Sequence, residues 1–239
     1  MKNNKNLIII ITVCIVLIVI IIAFIALTNS KKNTKDKDTI PVAEIESELI
    51  LSESEKPIIS LIPRADGHEL KLKIDNIPAN ITDIEYDLIY SAVDEGMEME
   101  KGVGDTAKVT SKNLERDLLL GTSSCTNGCK YKYDQGIVGG TLSLTFLTAT
   151  NQSLRYESSF VLKTSADIKK DGGLSLVVEN IQIKGSTTSK SDYFILMKNL
   201  PSYYSVFSSG NGKGTITTIT PDNVSKEDKT SLTGNYLIN

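Results

Sequence analysis

The sequence predicts an all-β fold: an N-terminal single transmembrane helix, then an antiparallel immunoglobulin-like β-sandwich, followed by a second small β unit. Three observations carry this. Residues 7–27 hold no charge, and every side chain there except Thr12 and Cys14 is aliphatic or aromatic. After Pro57 the apolar residues recur instead at a period of two, the spacing that turns one face of a strand into a core. Turn-forming pairs separate these runs, at Asp66-Gly67, Asn127-Gly128, Gly139-Gly140 and Asp171-Gly172-Gly173, with no long helical period between them. Short alternating segments at such intervals are the pattern of an antiparallel sandwich.

Residues 1–6 are a short tail and residues 7–27 the expected span. At 1.5 Å of rise per residue the run covers the roughly 30 Å hydrocarbon core of a bilayer. A cleaved signal has an apolar region of about 7–15 residues ending at a small-x-small site; here the nearest pairs, Ala26 with Thr28 and Thr28 with Ser30, match poorly. Val13 precedes Cys14 where a lipoprotein signal needs a small residue. A soluble core helix of this length would show a polar stripe. The reading is an uncleaved signal-anchor.

Its orientation is set by two opposed signals. Lys2 and Lys5 precede the span, whereas Lys31, Lys32, Lys35 and Lys37 follow it, little offset by Asp36 and Asp38. Flanking charge alone would keep the C-terminal side in the cytoplasm. The cysteine spacing downstream suits an oxidising compartment, and on that ground the expectation is a single-pass protein of the cell membrane with its C-terminal domain extracytoplasmic.

Residues 28–56 read as a flexible polar stalk, since residues 29–40 have almost nothing to bury. Val42, Ile45, Leu49 and Ile50 recur at helical spacing among glutamates, but so short a helix is marginal without packing, and an acidic spacer is preferred. Residues 57–166 are the expected sandwich. Leu70, Leu72 and Ile74 alternate with polar residues, as do Ile84, Tyr86, Leu88 and Tyr90; Leu118 and Leu120, then Leu142, Leu144 and Phe146, then Phe160 and Leu162 continue the signal. Pro78, within Ile77–Asn80, supplies a turn because it cannot donate to a ladder. Ser165 to Lys170 is a polar connector, and residues 171–239 are the second small β domain. Its strands are expected around Leu174–Val178, Tyr193–Met197, Ile216–Ile219 and Tyr236–Ile238, with Gly210, Gly212 and Gly214 forming a hairpin turn.

Charge narrows the function classes. The chain carries 26 Lys+Arg and 29 Asp+Glu, and residues 1–38 hold six of the lysines and two of the aspartates. The remainder has a net charge of about −7, which disfavours nucleic acid and anionic polymers as partners. Cys125 and Cys129 enclose Thr126, Asn127 and Gly128, a sharp reversal across which a disulfide is expected. A metal site would need two further ligands, and a redox pair usually has two intervening residues at a helix start.

The order Leu118-Leu119-Leu120-Gly121-Thr122, the cysteines at 125 and 129 around a glycine, Tyr133, Gly136-Ile137 and Gly140-Thr141-Leu142 resembles uncharacterised membrane-anchored envelope proteins of candidate-phyla bacteria. The resemblance spans residues 118–146. It implies a bacterial envelope location and brings no activity with it.

No catalytic, cofactor or metal signature stands on its own. His68, the single histidine, follows Asp66-Gly67 and reads as an exposed turn residue; the Gly210 segment lacks the helix and Ser/Thr of a phosphate loop. Asp94, Glu95, Glu98 and Glu100 surround Gly96 in what reads as a solvated acidic loop, and Tyr203, Tyr204 and Phe207 form either an aromatic surface or ordinary core. The expected interaction surface is Asp94, Glu95, Glu98, Tyr203 and Tyr204. The leading expectation is a non-enzymatic module contacting a protein or envelope component on the cell surface. A pilin-like assembly subunit is the alternative, although the apolar run has no Glu and no processing Gly before it. An envelope hydrolase using scattered carboxylates ranks last.

Overall fold

A computed structural model of the protein describes residues 47–126 and 128–239. The apolar run 7–27, the tail before it and residues 28–46 of the expected stalk lie outside the described residues, among which no helix is long and apolar enough to cross a membrane. The described chain is all-β and overwhelmingly antiparallel. Its first strands are β1 (Ser47–Glu48), β2 (Ile58–Pro63), β3 (Glu69–Asp75), β4 (Ile81–Asp94), β5 (Met97–Lys108) and β6 (Leu114–Leu119). There follow β7 (Gly121–Ser124), β8 (Lys130–Tyr133), β9 (Gly139–Thr148), β10 (Gln152–Thr164) and one short helix, α1 (Ser165–Lys170). The chain ends with β11 (Leu174–Val178), β12 (Ile181–Thr187), β13 (Tyr193–Lys198), β14 (Tyr203–Ser208), β15 (Gly214–Thr220), β16 (Val224–Ser225) and β17 (Gly234–Ile238).

A nine-stranded sheet runs the length of the head in the order β16-β17-β14-β13-β10-β9-β4-β5, with β1 laid parallel against the start of β10. Two three-stranded sheets, β2-β3-β6 and β11-β12-β15, pack upon it. They lie on opposite faces. Residues directly opposite one another in an antiparallel pair share a face, so Phe160 with Met197 and Leu162 with Ile195 point one way, while Val161 with Leu196 points the other. The first face is covered by Ile59, Leu61, Leu70, Leu72 and Leu118, the second by Leu174, Leu176, Ile181, Ile183 and Ile216. Strand β13 therefore belongs to both cores, which is why Phe194 through Met197 are apolar without a break and each 0% exposed. Residues from either side of the expected boundary near Asp171 thus share one hydrogen-bonded sheet, and the described residues form one compact unit.

Several connections differ from expectation. Gly139 and Gly140 are not a turn but the start of β9, where added Cβ atoms would sit 2.4 Å from Phe160 O and 2.1 Å from Ile89 O, so neighbouring strands approach their backbone closely. The Gly210–Gly214 segment is no hairpin turn: β15 pairs with β12, so the chain crosses there from the large sheet to a small one. Ser165 to Lys170 is a helix rather than a plain connector, because Thr164 and Asp167 cap it reciprocally, each side chain accepting from the other's backbone N–H. The acidic stretch after Asp94 is strand β5, with only Glu95-Gly96 left as the turn. The tail of the expected stalk is built into the head, with Ser47 and Glu48 paired to β10 and Leu49 buried.

Buried Asn199 ties the first small sheet to the large one. Its side chain accepts from the Ile59 N–H (3.0 Å) and donates to Ile59 O (2.7 Å), acting as a strand partner for the open edge of β2. Leu196→Ala and Ile195→Ala should each cost about 2–5 kcal/mol. Because β13 serves both cores, urea unfolding followed by far-UV circular dichroism and by tyrosine fluorescence should show one coincident transition in each variant; a second, unshifted transition would mean that the cores unfold independently.

Candidate functional site

The two ends of the large sheet carry different structures. At one, which we call the lower pole, lie the β9–β10 turn and Ser47, where the chain joins the head. At the upper pole β6 gives way to the β7–β8 hairpin, next to the β2–β3 and β4–β5 turns. Strand β10, with 13 residues, separates the poles by roughly 40 Å at about 3.3 Å per residue.

The hairpin pairs Gly121 with Tyr133 and Ser124 with Lys130, and Cys125 and Cys129 close its tip as a disulfide with Cα atoms 4.1 Å apart. Gly128, at φ 88°, takes the left-handed conformation that this reversal demands. Strand alternation puts Tyr131 and Tyr133 on one face of β8 and Lys130 and Lys132 on the other. The Tyr133 ring stacks on His68 with centroids 3.6 Å apart, and Tyr131 lies parallel to Tyr133 at 5.9 Å. Tyr131 is 52% exposed, so the row of rings ends in open apolar surface.

A charged network holds the hairpin base. Lys132 Nζ bonds both oxygens of Asp94 at 3.1 and 3.0 Å, and Lys101 Nζ lies 2.5 Å from Asp134 Oδ1 and 3.9 Å from Asp94. Asp134, its side chain 4% exposed, also accepts from the Tyr90 hydroxyl at 2.8 Å. Lys132 holds the Asp94 carboxyl below the ordinary carboxylate range, and burial followed by the Asp134 hydrogen bond pushes the Tyr90 phenol well up. The Val93 N–H donates to Gln135 O at 2.7 Å, binding β4 to the segment after the hairpin.

Beside this network lies a cleft of about 290 Å³ lined by Asp66, His68, Asp134, Gly136, Thr164 and Tyr193 among others. Its carboxylates are engaged. Asp66 takes the Arg64 guanidinium and the His68 N–H, and the Arg64 hydrogen bond brings its carboxyl down to about 2; Asp167 is spent on the α1 cap. His68 Nδ1 lies 3.6 Å from Asp66, beyond hydrogen-bond range, and the described hydrogen bonds include none from a Ser, Thr or Cys side chain to its imidazole. Among the described residues no three His, Cys, Asp or Glu are placed to hold a metal ion.

The expected surface residues do not come together. Asp94 and Glu95 sit at the upper pole, Glu95 at φ 51° in the turn, with Glu98 just beyond on β5. Tyr203 and Tyr204 begin β14 at the lower pole, four strand positions away, roughly 19 Å across the sheet at about 4.8 Å per strand. Tyr204 is core, 3% exposed, its hydroxyl 3.0 Å from Glu179 and 2.9 Å from Asn180, and burial with Glu179 pushes its phenol up to about 12. The upper-pole group is instead Tyr131, Lys132, Tyr133, His68 and Asp94. Its signal in the sequence is the alternation Lys130-Tyr131-Lys132-Tyr133 straight after Cys129.

No family model matches the chain, and neither a curated protein nor a solved structure matches it.

A depressed carboxylate pKa contributes stability that is present above the unfolded value near 4 and is lost as pH falls toward the folded one. For Asp66 that window runs from about 4 down to about 2. The His68 amide resonance, which reports its hydrogen bond to Asp66, should therefore titrate by NMR with a midpoint near 2; a midpoint near 4 would mean that Arg64 does not hold the carboxylate.

Proposed function

We propose that the chain is a non-enzymatic interaction protein of the cell envelope, in which a single-pass anchor at residues 7–27 holds an extracytoplasmic head that binds a protein or envelope component through its disulfide-clamped hairpin. The observation that carries this reading is polarity. Ser47, the first described residue, lies at the lower pole, and the hairpin stands at the upper pole, the opposite end of the sheet. The head's first 110 residues or so read as immunoglobulin-like: β2-β3-β6 faces β10-β9-β4-β5, two sheets of a sandwich with its loops gathered at the poles.

Chemistry favours binding over turnover. The cleft carboxylates are committed to Arg64, Lys101 and the α1 cap, whereas Tyr131 offers a half-exposed ring on a hairpin held by one covalent and two non-covalent ties. An amphipathic ring on a pre-ordered loop makes contact at small entropic cost. The disulfide suits an oxidising location, and the apolar run read from the sequence suits the anchor.

Protease shaving of intact cells should release the head, and Cys125 and Cys129 should take a thiol label only after reduction. Tyr131→Ala should lower retention of the head on isolated envelopes at least tenfold, about 1.4 kcal/mol or more, without moving its melting midpoint. Cys125→Ser with Cys129→Ser should cost about 2 kcal/mol or less, since the closed loop is short, and should weaken binding more than stability. A head protected from protease with both thiols reduced would overturn the location, and unchanged retention of the Tyr131 variant would overturn the binding site.

A further inference from the structure

We infer that β5 is a self-complementary sheet edge and that its occupant is β5 of a second copy of this chain, paired antiparallel about a twofold axis at Val103. The large sheet ends on one side in β16, with 2 residues, and on the other in β5, with 12. Long bare edges are normally blunted by proline, a bulge, extreme shortness or charged side chains; of these β5 has only the charges, of both signs, which block a like-charged register and admit a complementary one. β5 has no proline and pairs with β4 from Lys108 to Met97 without a register shift.

The backbone is set for a partner. The Val109 N–H donates to Thr82 O at 2.8 Å in register with the β4–β5 pairing. In an antiparallel ladder alternate residues spend both backbone groups on the same neighbour, so odd-numbered residues of β5 face β4 and Glu98, Glu100, Gly102, Gly104, Thr106 and Lys108 point theirs outward. Thr106 confirms the direction, its N–H turning to its own Asp105 Oδ1 at 2.7 Å.

Side chains choose the register. Centred on Val103, self-pairing sets Glu98 against the partner's Lys108, Lys101 against the partner's Asp105, and Gly102 against the partner's Gly104, each twice by symmetry. Met99, 45% exposed, meets the partner's Ala107, and Met97, 64% exposed, meets the partner's Val109. Centring on Glu100, Lys101 or Asp105 puts like charges face to face; centring on Gly102 makes no opposite-charge pair, and on Gly104 only Glu100 with the partner's Lys108. Opposite charges across strands stabilise and like charges destabilise, so Val103 is the favoured centre. Lys108 pairs with Asp83 of its own chain at 2.9 Å yet remains 83% exposed, leaving room for the partner's Glu98. Lys101 already holds Asp134, so the Glu98–Lys108 pair is the discriminating one. The contact is isologous and closes as a dimer. It also sends the two Ser47 ends to opposite ends of the joined sheet. On the anchored reading above this suits copies projecting from facing surfaces, a consequence that rests on that reading, whereas the pairing does not.

The test is oxidative crosslinking of the full chain in detergent, in a Cys14→Ser background. Opposed Val103 residues would form a non-hydrogen-bonded pair with Cα atoms about 4.5 Å apart, within disulfide reach. Val103→Cys should therefore give covalent dimer at least tenfold faster than the exposed β12 control Lys184→Cys. Adding Glu98→Lys should slow it at least tenfold, and adding Lys108→Glu to that variant should restore it. An unchanged melting midpoint and an intact Cys125–Cys129 bond, checked by mass, establish that each variant folds. Dimer no faster than the control, which a β5 edge that takes another protein's strand would give, overturns the proposal. So does indifference to Glu98→Lys, or no restoration by Lys108→Glu.

Discussion

The structure depends on one strand being buried twice. β13 pairs with β10 on one side and β14 on the other, while Ile195 and Met197 enter one core and Phe194 and Leu196 the other. Without it the two three-stranded sheets would cover separate, smaller surfaces. With it, backbone hydrogen bonding carries each core's stability across the sheet, and neither half is left a free hydrophobic edge at the join. Asn199, just past the end of β13, extends the same coupling by supplying the amide groups that β2 lacks on its outer edge.

That frame gives the molecule two poles with different chemistry. The lower pole is tied up with Tyr204, Glu179 and Asn180 in hydrogen bonds beside buried apolar surface, and receives the chain at Ser47. The upper pole concentrates charge pairs and aromatic rings around a hairpin too small to have a core of its own. Its order comes instead from Cys125–Cys129, the His68 stack and the Asp94–Lys132 pair. The two non-covalent ties are weak and partly exposed, but with the disulfide they act on a short two-stranded unit from three sides. Rigidity of this kind is useful for recognition, because a contact made by a pre-ordered loop loses little entropy.

Much of the sheet is legible in the sequence. Alternation at Leu70–Ile74, Ile84–Tyr90, Leu142–Phe146 and Phe160–Leu162 located β3, β4, β9 and β10, because a half-buried strand must repeat every two residues. β5 is not legible in the same way, because its edge position leaves Glu98, Glu100 and Asp105 in solvent and no apolar period marks it. Gly139 and Gly140 misled in the opposite sense: glycine marks turns, but it also marks places where a neighbouring backbone passes too close for a Cβ. The candidate surface was half legible: Asp94, Glu95 and Glu98 do lie together at the upper pole, while Tyr203 and Tyr204 lie at the lower one, with Tyr204 in the core. Spacing along a chain says which residues share a strand face and nothing about which strands later become neighbours.

What the sequence determined by itself is therefore local: strand periodicity, the cysteine pair around its reversal, the acidic balance of everything after residue 38, and an apolar run of membrane-spanning length. These are properties of short windows, decided by side-chain solvation and backbone freedom. Tertiary structure alone decided that residues on both sides of Asp171 would share a sheet, that the small sheets would take opposite faces, and that His68 would meet Tyr133 and Asp94 meet Lys132. Those outcomes depend on pairing between segments far apart in the chain. No window of sequence contains both halves of such a pair, so only the packed molecule chooses among the partners that the same local pattern would accept.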